Sequence, residues 1–500
     1  MGLKTNSAQI ATPGHEKYGQ HMTVEEIDAI VGPAAESKDL VFQWLGNHSL
    51  ADGATVSTRG NVVSVKTTIS QAEALMSTEY STFTNSESGK TSARTLSVYI
   101  PEALEGHIAM IQPTTFFGFK KFTPYVHSQS SIGPDVTYTT PTTLAALYDF
   151  ADIDTLTDGI MGVGGFIEQW PSKSDLSTFM DKFAIFDNED ETYTCTTVND
   201  GECPKNPTGG DIGIEANLDV QYARAITSNI PNVYYSVGGD DNSIFEYLSD
   251  YILTLDASDQ PNVVSVSYGG DESAVTLSVA TSTCDSFSEL GAAGVSILFA
   301  SGDSGVGSGC RIDGEKAYQP DFPGGCPWVT MVGGTTGTTS ESAWSSGGGG
   351  FSNYFDRPSY QEDAVSAWLA DNSDGNTQYY NTSGRAYPDV AAGATYFEIV
   401  DGGSTEAVSG TSCAAPTFSS IIQLVNSNRI AQGKAALGFL NPWLYGDAAS
   451  ALNDITSGSI GGCSAAISNA GFSAISGWDP ATGLGSPNYP KLLKAGLAAA

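Results

Sequence analysis

The sequence predicts an α/β protein in which helices cover both faces of a parallel sheet, preceded by a smaller α+β domain. Two observations divide the 500 residues in this way. Short apolar runs edged by glycine alternate with helical segments only after about residue 140, and such alternation is typical of a parallel sheet. All five histidines, in contrast, lie before residue 128. The two parts of the chain therefore differ in predicted architecture and in composition.

The smaller domain begins with two predicted helices. Thr23 and Glu26 form a capping-box pattern, and Gly32 with Pro33 ends the helix near Val31. A second helix is predicted over residues 37–46. Strand-like alternation follows at 61–67 and at 95–100, with a helix over 71–76 between them. We expect this domain to occupy residues 1–130.

The larger domain follows a segment that has the composition of a linker. Ser128–Pro141 is rich in Ser, Thr, Gly and Pro and has no apolar period, so we place a linker at 131–140 and the second domain at 141–500. Strands are predicted there at 160–167, 263–267, 295–300 and 328–332, and helices at 213–225 and 284–293.

Charge and hydropathy exclude some functions. The net charge is −35, of which residues 1–130 carry 9 − 12 = −3 and residues 131–500 carry 12 − 44 = −32. Nucleic-acid binding needs a basic surface, so it is not expected. No apolar run approaches 18 residues, so no membrane helix is expected. The chain start also lacks the apolar segment of a signal peptide.

Other residues favour an oxidising compartment and therefore an N-terminal segment that is missing from this sequence. Asn47 and Asn381 lie in glycosylation sequons, and several cysteines are close in sequence. We expect a secreted protein, with an acidic vacuole or a lysosome-like compartment as the alternative. Proximity suggests the disulfides Cys195–Cys203 and Cys310–Cys326, with Cys284–Cys463 as a possible third. Cys413 lies in an apolar stretch and is expected to be a buried free thiol.

Ser412 is the candidate nucleophile. The string Ser-Gly-Thr-Ser-Cys-Ala-Ala-Pro at 409–416 places it at a glycine-rich turn before a predicted helix at 416–425. Backbone N–H groups at a helix start stabilise developing negative charge, although a serine there is more often an ordinary N-cap. The string Gly-Thr-Ser-x-x-x-Pro is more specific and matches the nucleophile motif of subtilisin-like folds. Because residues 131–500 contain no histidine, an activating base would have to be another group, and the candidates are carboxylates.

Three acidic residues are candidates for that chemistry. Glu215 and Asp219 lie one helical turn apart, so like-charge repulsion would raise a pKa and let the pair hold a proton in mild acid. A solvated acidic face is the alternative in so acidic a chain. Asp303 follows a predicted strand within Ser-Gly-Asp-Ser-Gly. It is either a turn former or a protonated acid that donates a hydrogen bond to an oxyanion.

In this order, Glu-x-x-x-Asp, Ser-Gly-Asp-Ser-Gly and Ser-Gly-Thr-Ser resemble the sedolisin family of serine-carboxyl peptidases, which includes secreted fungal tripeptidyl-peptidases and endopeptidases. The resemblance implies an acid-active peptidase with a subtilisin-like sheet and a ferredoxin-like α+β prodomain. It implies that Ser412 is the nucleophile, Glu215 its general base and acid, Asp219 the orienting partner and Asp303 the oxyanion-hole acid. Residues 17–23 and 99–101 resemble the propeptide, and 141–148 and 164–169 resemble the beginning of the mature enzyme.

The resemblance also implies a calcium site and a substrate segment. One Ca²⁺ would be held by the side chains of Asp454 and Asp479 and the carbonyls of Ile455, Ile475 and Gly477. Loop carboxylates beside exposed carbonyls suit Ca²⁺, although turn-forming aspartates are the alternative. The segment Ser267, Tyr268 and Gly269 resembles one whose backbone pairs with bound peptide as an added strand.

The expected partners are peptide or protein substrates and the chain's own prodomain, which would act as an intramolecular inhibitor released near residues 128–140. We expect a monomer that binds neither nucleic acid nor membrane. The residues leave the choice between endopeptidase and tripeptidyl exopeptidase open. A catalytically inactive, peptidase-like binding protein is the alternative from another class. A carbohydrate-cleaving enzyme with paired carboxylates would leave Ser412 unexplained.

Overall fold

The computed structural model describes residues 2–84, 89, 91–117, 124–127, 136–154, 156–186, 192–205, 207, 213–227, 229–239, 243–371, 375–463 and 465–499. Residues 2–127 contain four helices and five strands within this part of the chain. The helices are α1 (Gly2–Ala11), α2 (Val24–Val31), α3 (Ala35–Asn47) and α4 (Ile69–Met76). The strands are β1 (Ala54–Val56), β2 (Val63–Val65), β3 (Ser81–Thr84), β4 (Thr91–Arg94) and β5 (Tyr125–His127).

Local signals account for most of these elements. Thr23 caps α2 in a complete capping box with Glu26, and the three helices predicted here coincide with α2, α3 and α4. The strand predicted at 61–67 is reduced to β2. The strand predicted at 95–100 is wrong. Loop partners replace a sheet ladder there, because Thr95 N–H donates to Thr114 O and Tyr99 N–H donates to Met76 O.

The larger part follows with nine helices among the described residues. They are α5 (Pro141–Tyr148), α6 (Lys173–Phe183), α7 (Ile214–Ile226), α8 (Ile244–Thr254), α9 (Leu277–Ala293), α10 (Glu362–Asp371), α11 (Thr411–Ala431), α12 (Asn441–Leu444) and α13 (Tyr489–Ala498). The predicted helices at 213–225 and 284–293 lie within α7 and α9, apart from the first residue of the former.

The described strands of this part range from long core strands to short pairs. They are β6 (Met161–Gly165), β7 (Thr194–Val198), β8 (Asn232–Val237), β9 (Val263–Val266), β10 (Gly270–Asp271), β11 (Ser296–Ala300), β12 (Arg311–Ile312), β13 (Glu315–Lys316), β14 (Asp321–Phe322), β15 (Thr330–Thr336), β16 (Ser342–Ala343), β17 (Gly350–Asp356), β18 (Gly384–Tyr387), β19 (Val390–Gly393), β20 (Phe397–Asp401), β21 (Ser404–Ser409), β22 (Leu452–Asn453), β23 (Ser459–Ile460), β24 (Phe472–Ser473) and β25 (Ser486–Pro487).

A central sheet of eight strands organises the larger part. Its order is β16-β15-β11-β9-β6-β8-β7, with β19 paired to β15, and its pairs are parallel except β15 with β16. Alternate residues of β11 face opposite cores: Leu298 belongs to one core with Phe418 of α11, and Phe299 belongs to the other with Phe287 of α9. The predicted α/β class with helices on both faces is therefore confirmed. The carboxyl ends of β6, β9 and β11 meet at one edge, where ligand sites of such sheets gather.

The first part packs on the second through α1, α2 and β5. Met22 N–H donates to Ala292 O at the end of α9, and the Ser7 hydroxyl donates to Ser288 O. Strand β5 pairs antiparallel with β21, the strand that leads into α11. Within the described residues, no helix combines the length and the apolar character needed to cross a membrane.

The disulfides differ from the pairing expected from sequence proximity. Cys195–Cys203 is present as predicted, and Cys413 is a buried free thiol. The other bridges are Cys284–Cys326 and Cys310–Cys463, so the expected Cys310–Cys326 and Cys284–Cys463 are wrong. The reason is packing: Cys284 and Cys326 meet in the core around α9, whereas Cys310 and Cys463 lie in a separate aromatic cluster.

Candidate active site

Ser412 lies in the first turn of α11 and is fully buried. The helix begins five residues before the predicted 416–425, so Pro416 lies inside it. Gly410 is the N-cap, and Ser412 therefore does not serve as an ordinary cap. Its hydroxyl has no hydrogen-bond partner of normal geometry. A buried hydroxyl at a helix N-terminus, with no structural hydrogen bond, is positioned for chemistry.

Glu215 and Asp219 lie on the same face of α7, and each is only 1% exposed. This burial rules out the alternative of a solvated acidic face. Asp219 Oδ1 accepts a 2.8 Å hydrogen bond from the Ser267 hydroxyl. The hydroxyl of Ser412 lies close enough to Glu215 to stabilise its charged form, although neither carboxylate oxygen makes a hydrogen bond of normal geometry. The structure therefore brings Ser412, Glu215 and Asp219 together.

Asp303 approaches the same site from the loop after β11. Its Oδ1 accepts hydrogen bonds from the Thr411 backbone N–H at 2.7 Å and from the Thr411 hydroxyl at 2.9 Å. These bonds anchor the carboxyl group to the residue beside Ser412. Asp303 is therefore held at the beginning of α11, where a tetrahedral intermediate on Ser412 would develop negative charge.

The electrostatics of the two α7 acids favour bound protons. Burial raises the pKa of Glu215 well above its ordinary value, and repulsion from Asp219 and then from Asp303 raises it further. The Ser412 and Ser267 hydroxyls act in the opposite direction. Burial likewise raises the pKa of Asp219, against the hydrogen bond from Ser267. Both acids therefore keep their protons to higher pH than exposed carboxyl groups do.

Asp303 is also protonated more readily than an ordinary aspartic acid. Burial raises its pKa to about 6, although the backbone and hydroxyl hydrogen bonds from Thr411 oppose the shift. A carboxylic acid donates a hydrogen bond only while it carries its proton. Asp303 can therefore serve as a donor below about pH 6.

The predicted substrate segment continues from the carboxyl end of β9. Ser267, Tyr268 and Gly269 are all buried, and the Tyr268 ring packs edge-on against Phe166 with centroids 5.1 Å apart. The segment is thus adjacent to the acids, and its contact with peptide stays a prediction. The Ser267 hydroxyl has a further partner in Asp219, which sequence reasoning missed because the contact spans 48 residues.

Thr411 is a further contact of the site that the sequence did not reveal. Its two hydrogen bonds to Asp303 connect segments 108 residues apart. Its place beside Ser412 in the Gly-Thr-Ser string was a signal in the sequence, but the string does not reveal which acid Thr411 contacts.

The residues predicted to hold Ca²⁺ lie on two neighbouring loops. Asp454 Oδ2 accepts from Gly477 N–H at 3.0 Å, and the buried Asp479 accepts from Ile475 N–H at 2.9 Å. Neither acid forms an ion pair among the described residues. Nor do the described residues contain a group of three or more His, Cys, Asp or Glu that could hold a metal. Two carboxylates therefore fit a hard cation only with carbonyl ligands from the same loops.

Comparisons with known proteins bear on the family and the fold of this chain. Residues 2–117 match the family model "Pro-kumamolisin, activation domain", and residues 226–436 match "Subtilase family". Tripeptidyl-peptidase SED2 of Arthroderma otae is 34% identical, with 97% of this chain and 88% of that protein covered. Tripeptidyl-peptidase SED4 of the same organism is 36% identical, with coverage of 97% and 86%.

Structural similarity points to the same fold. The Pseudomonas sedolisin, a serine-carboxyl proteinase solved with two molecules of pseudo-iodotyrostatin, has a TM-score of 0.56 and 22% identity. The match covers 72% of this chain and 98% of that one. Together with the extensive identity to the fungal proteins, it confirms the subtilisin-like fold and the family expected from the motifs. The chain belongs to the sedolisin family of serine-carboxyl peptidases and carries an N-terminal activation domain.

Proposed function

We propose that the protein is an acid-active serine peptidase in which Ser412, Glu215 and Asp219 form the catalytic triad and Asp303 is the oxyanion-hole acid. The observation that carries this assignment is the buried placement of Ser412 beside Glu215, with Asp219 one turn further along α7. Acyl transfer needs a nucleophile, a nearby base, a group that orients the base and a donor aimed at the oxyanion. The four residues supply these parts, and an inactive binding protein would have no need of them.

Each chemical step follows from these positions. Glu215 accepts the Ser412 proton as Oγ forms a bond to the peptide carbonyl carbon, and Asp303 donates a hydrogen bond to the resulting oxyanion. Glu215 then gives its proton to the leaving nitrogen, and the C–N bond breaks to leave an acyl-enzyme. Water attacks the acyl carbon, Glu215 takes its proton, and the second product leaves as Ser412 recovers a proton. Asp219, held by Ser267, orients Glu215 throughout.

Within this activity we propose release of tripeptides from a free N-terminus, since relatives of this chain are named tripeptidyl-peptidases. Endopeptidase activity is the second candidate. Backbone pairing of peptide along Ser267, Tyr268 and Gly269 would serve either activity. A peptide offered with a free and with an acetylated N-terminus at pH 4 tests the choice by mass spectrometry. Tripeptides from the free form alone support the proposal, and internal cleavage of the acetylated form overturns it.

The catalytic assignment has its own test. Ser412→Ala should abolish cleavage of both peptides without a change in thermal unfolding, whereas Ser419→Ala should leave activity unchanged. Ser419 is a matched control because it is also buried on α11 and its hydroxyl has no hydrogen-bond partner. Full activity of Ser412→Ala would overturn the triad.

We further propose that residues 1–130 are the prodomain, 131–140 the linker and 141–500 the peptidase domain. The match of 2–117 to an activation domain supports the first range, and the helix that begins at Pro141 supports the last. Residues 131–135 lie outside the described part of the chain.

Strand β5 covers the edge of β21, and Pro124 Cα lies 3.6 Å from the position that a Gly410 Cβ would occupy. Such packing supports an inhibitory role for the prodomain, released by acid processing. The test is to acidify the wild-type protein and the Ser412→Ala variant. If both stay intact, self-processing is contradicted.

Two remaining expectations also stay proposals. One Ca²⁺ would be held by Asp454 and Asp479 with the carbonyls of Ile455, Ile475 and Gly477, and it would stabilise the loops that carry them. Monomeric, extracellular action in an acidic medium is consistent with the three disulfides and with the charge of −32 in residues 131–500. Size-exclusion chromatography tests the monomeric state, and fractionation of the source culture tests the extracellular location.

A further inference from the structure

Thr411 connects the candidate nucleophile to the candidate oxyanion acid. It is fully buried at the beginning of α11. Its backbone N–H and its hydroxyl both contact Asp303 Oδ1. The hydroxyl oxygen also accepts from Gly302 N–H at 3.1 Å, and Gly302 O, at 3.1 Å, is a second acceptor for its single proton beside Asp303 Oδ1. Thr411 is therefore held rigidly against one particular oxygen of Asp303.

The two carboxyl oxygens of Asp303 differ as a result. A backbone N–H can only donate, so Oδ1 is the acceptor and the proton of the neutral acid is favoured on Oδ2. Among the described residues, none hydrogen-bonds to Oδ2, which lies 3.0 Å from where a Cβ at Gly410 would be. The absence of a side chain at Gly410 leaves this oxygen free to face a reacting group.

We propose that Thr411 is a positioning residue that decides which oxygen of Asp303 carries the proton. With Oδ1 occupied, Oδ2–H is the group that donates to the oxyanion. This inference rests on the proposed function, because it assumes that Asp303 is the oxyanion acid. A second consequence follows from the same bonds: they favour ionised Asp303, so loss of the Thr411 hydroxyl should keep the acid protonated to higher pH.

The test compares Thr411→Val, Thr411→Ser and Thr417→Val in pH profiles of kcat and KM. Thr417 is a matched control, since it is buried on the same helix and its hydroxyl donates to Cys413 O. We expect Thr411→Val to lower kcat about tenfold with little change in KM. Without the Thr411 hydroxyl, the Oδ2–H of Asp303 would be less well positioned to donate to the oxyanion. The alkaline limb of the kcat pH profile of Thr411→Val should move up by about one pH unit. Thr411→Ser should restore both properties, and Thr417→Val should match the wild type.

An unchanged alkaline limb in Thr411→Val, with only a lower Tm, would overturn this inference while proteolysis itself stands. If Thr411→Val does not fold, Thr411→Ala carries the same expectation. Full activity of Ser412→Ala would instead show that the proposed function is wrong.

A different observation concerns His21 of the prodomain. Its ring lies in a slot between two glycines of the peptidase domain. A Cβ at Gly294 would lie 2.3 Å from Nδ1, and one at Gly438 would lie 3.0 Å from Nε2. The next residue, Met22, donates its N–H to Ala292 O at the end of α9. The imidazole therefore fills an interface slot that is open only because both positions lack a side chain.

The surroundings of His21 disfavour a positive charge. Nε2 is buried without a hydrogen-bond partner, and burial together with the positive charge of Arg429 lowers the pKa of His21 to about 4. The end of α9 would favour a cation, but Met22 already occupies its Ala292 carbonyl. The cavity beside the ring is lined by further charged groups of both signs: Arg59, Lys434, Glu25, Asp28 and Asp256.

We infer that His21 is a pH sensor whose protonation weakens the docking of the prodomain on the peptidase domain. Free histidine has a pKa near 6.5, so the docked state binds the proton less well than the released state. Docking is therefore complete above pH 6.5 and weakens as the pH falls towards 4.

The test uses full-length Ser412→Ala, which should not process itself, and hydrogen exchange of the Met22 amide corrected for intrinsic rates. Between pH 7 and pH 5 its protection factor should fall about 20-fold, as the two pKa values of His21 require. Addition of His21→Gln should leave a fall of less than about threefold, whereas His48→Gln should behave as the parent. His48 is a matched control because its ring packs on Trp44 within the prodomain.

The ratio of the Met22 protection factors at pH 7 and pH 5 still tests the inference if His21→Gln loosens the interface equally at both pH values. A fall of about 20-fold in His21→Gln would overturn the inference. As a second variant, His21→Arg should lose protection already at pH 7, and full protection there would also contradict it. Self-processing of Ser412→Ala would be a failure of the proposed function instead.

Discussion

The hydroxyl of Ser267 donates a 2.8 Å hydrogen bond to Oδ1 of Asp219. Both side chains are buried, and this bond opposes the effect of burial on the pKa of Asp219. Ser267 follows β9, and Asp219 lies on α7, so the bond connects the sheet edge to the helix that carries the proposed base. It explains how one carboxyl group in a tightly buried pair keeps a fixed orientation.

Loss of this bond should impair catalysis more than folding. We expect Ser267→Ala to lower kcat about tenfold, since Glu215 would no longer be oriented by an anchored Asp219. Ser265→Ala is the matched control, because Ser265 is buried two residues earlier and its hydroxyl has no hydrogen-bond partner. Equal kcat in the two variants would contradict the role of Ser267.

Activity should decline as the pH rises through about 6. The pKa of Asp303 is raised to about 6, so the acid is protonated below this pH and loses its donor proton above it. In Asp303→Asn the amide donates at every pH, so we expect a lower kcat but a shallower decline between pH 5 and 8. A pH profile of kcat measures this, with the exposed Asp363→Asn as control. A wild-type maximum at pH 7 or above would refute the prediction.

Arg59 should hold the prodomain in place. Its side chain is 5% exposed and contacts Asp28 at 2.5 Å, Asp250 of α8 at 2.8 Å and Glu289 of α9 at 2.7 Å. Arg59→Ala removes the cation from three partly buried carboxylates, so it should cost more than the loss of an exposed ion pair. We expect faster prodomain release at neutral pH, measured by limited proteolysis of the Ser412→Ala chain.

The same interface offers a contrasting pair as the control. Lys4 and Asp285 form an ion pair with side chains 48% and 46% exposed, so solvent screens it and Lys4→Ala should cost only about 0–1 kcal/mol. Equal effects of Lys4→Ala and Arg59→Ala would show that the ion pairs of Arg59 do not control docking.

Calcium removal should destabilise the C-terminal loops. If Asp454 and Asp479 hold Ca²⁺, a chelator should lower Tm, and added Ca²⁺ should restore it because the ion binds only the folded chain. Asp454→Asn should abolish the response, while the exposed Asp363→Asn should retain it. A calorimetric titration of chelated protein that shows no Ca²⁺ binding would remove this site.

Several local features of the fold could be predicted from neighbouring residues. The capping box of Thr23 and Glu26 and the helix of Glu215 and Asp219 depend on residues three or four apart. The strand predicted at 95–100 is wrong because its backbone partners are distant in sequence. Its backbone bonds go to Met76 and Thr114, which no local pattern reveals.

The candidate site divides in the same way. The motifs around Ser412, Asp303 and Glu215 were visible as strings, and the absence of histidine beyond residue 127 pointed to carboxylate chemistry. Whether Glu215 and Asp219 were a solvated face or buried acids could not be read from their spacing. Burial at 1% exposure decided this, because the packing of α7 against α11 removes them from water.

The sequence by itself determined the α/β class, the histidine-free larger domain and the residue types available for catalysis. Only the tertiary structure decided the pairing Cys284–Cys326 and Cys310–Cys463, the anchoring of Asp219 by Ser267 and of Asp303 by Thr411, and the slot for His21. The physical reason is distance along the chain. Helix caps and periodicity arise from neighbouring residues, whereas these contacts join segments that meet only when the sheet and its two cores are packed.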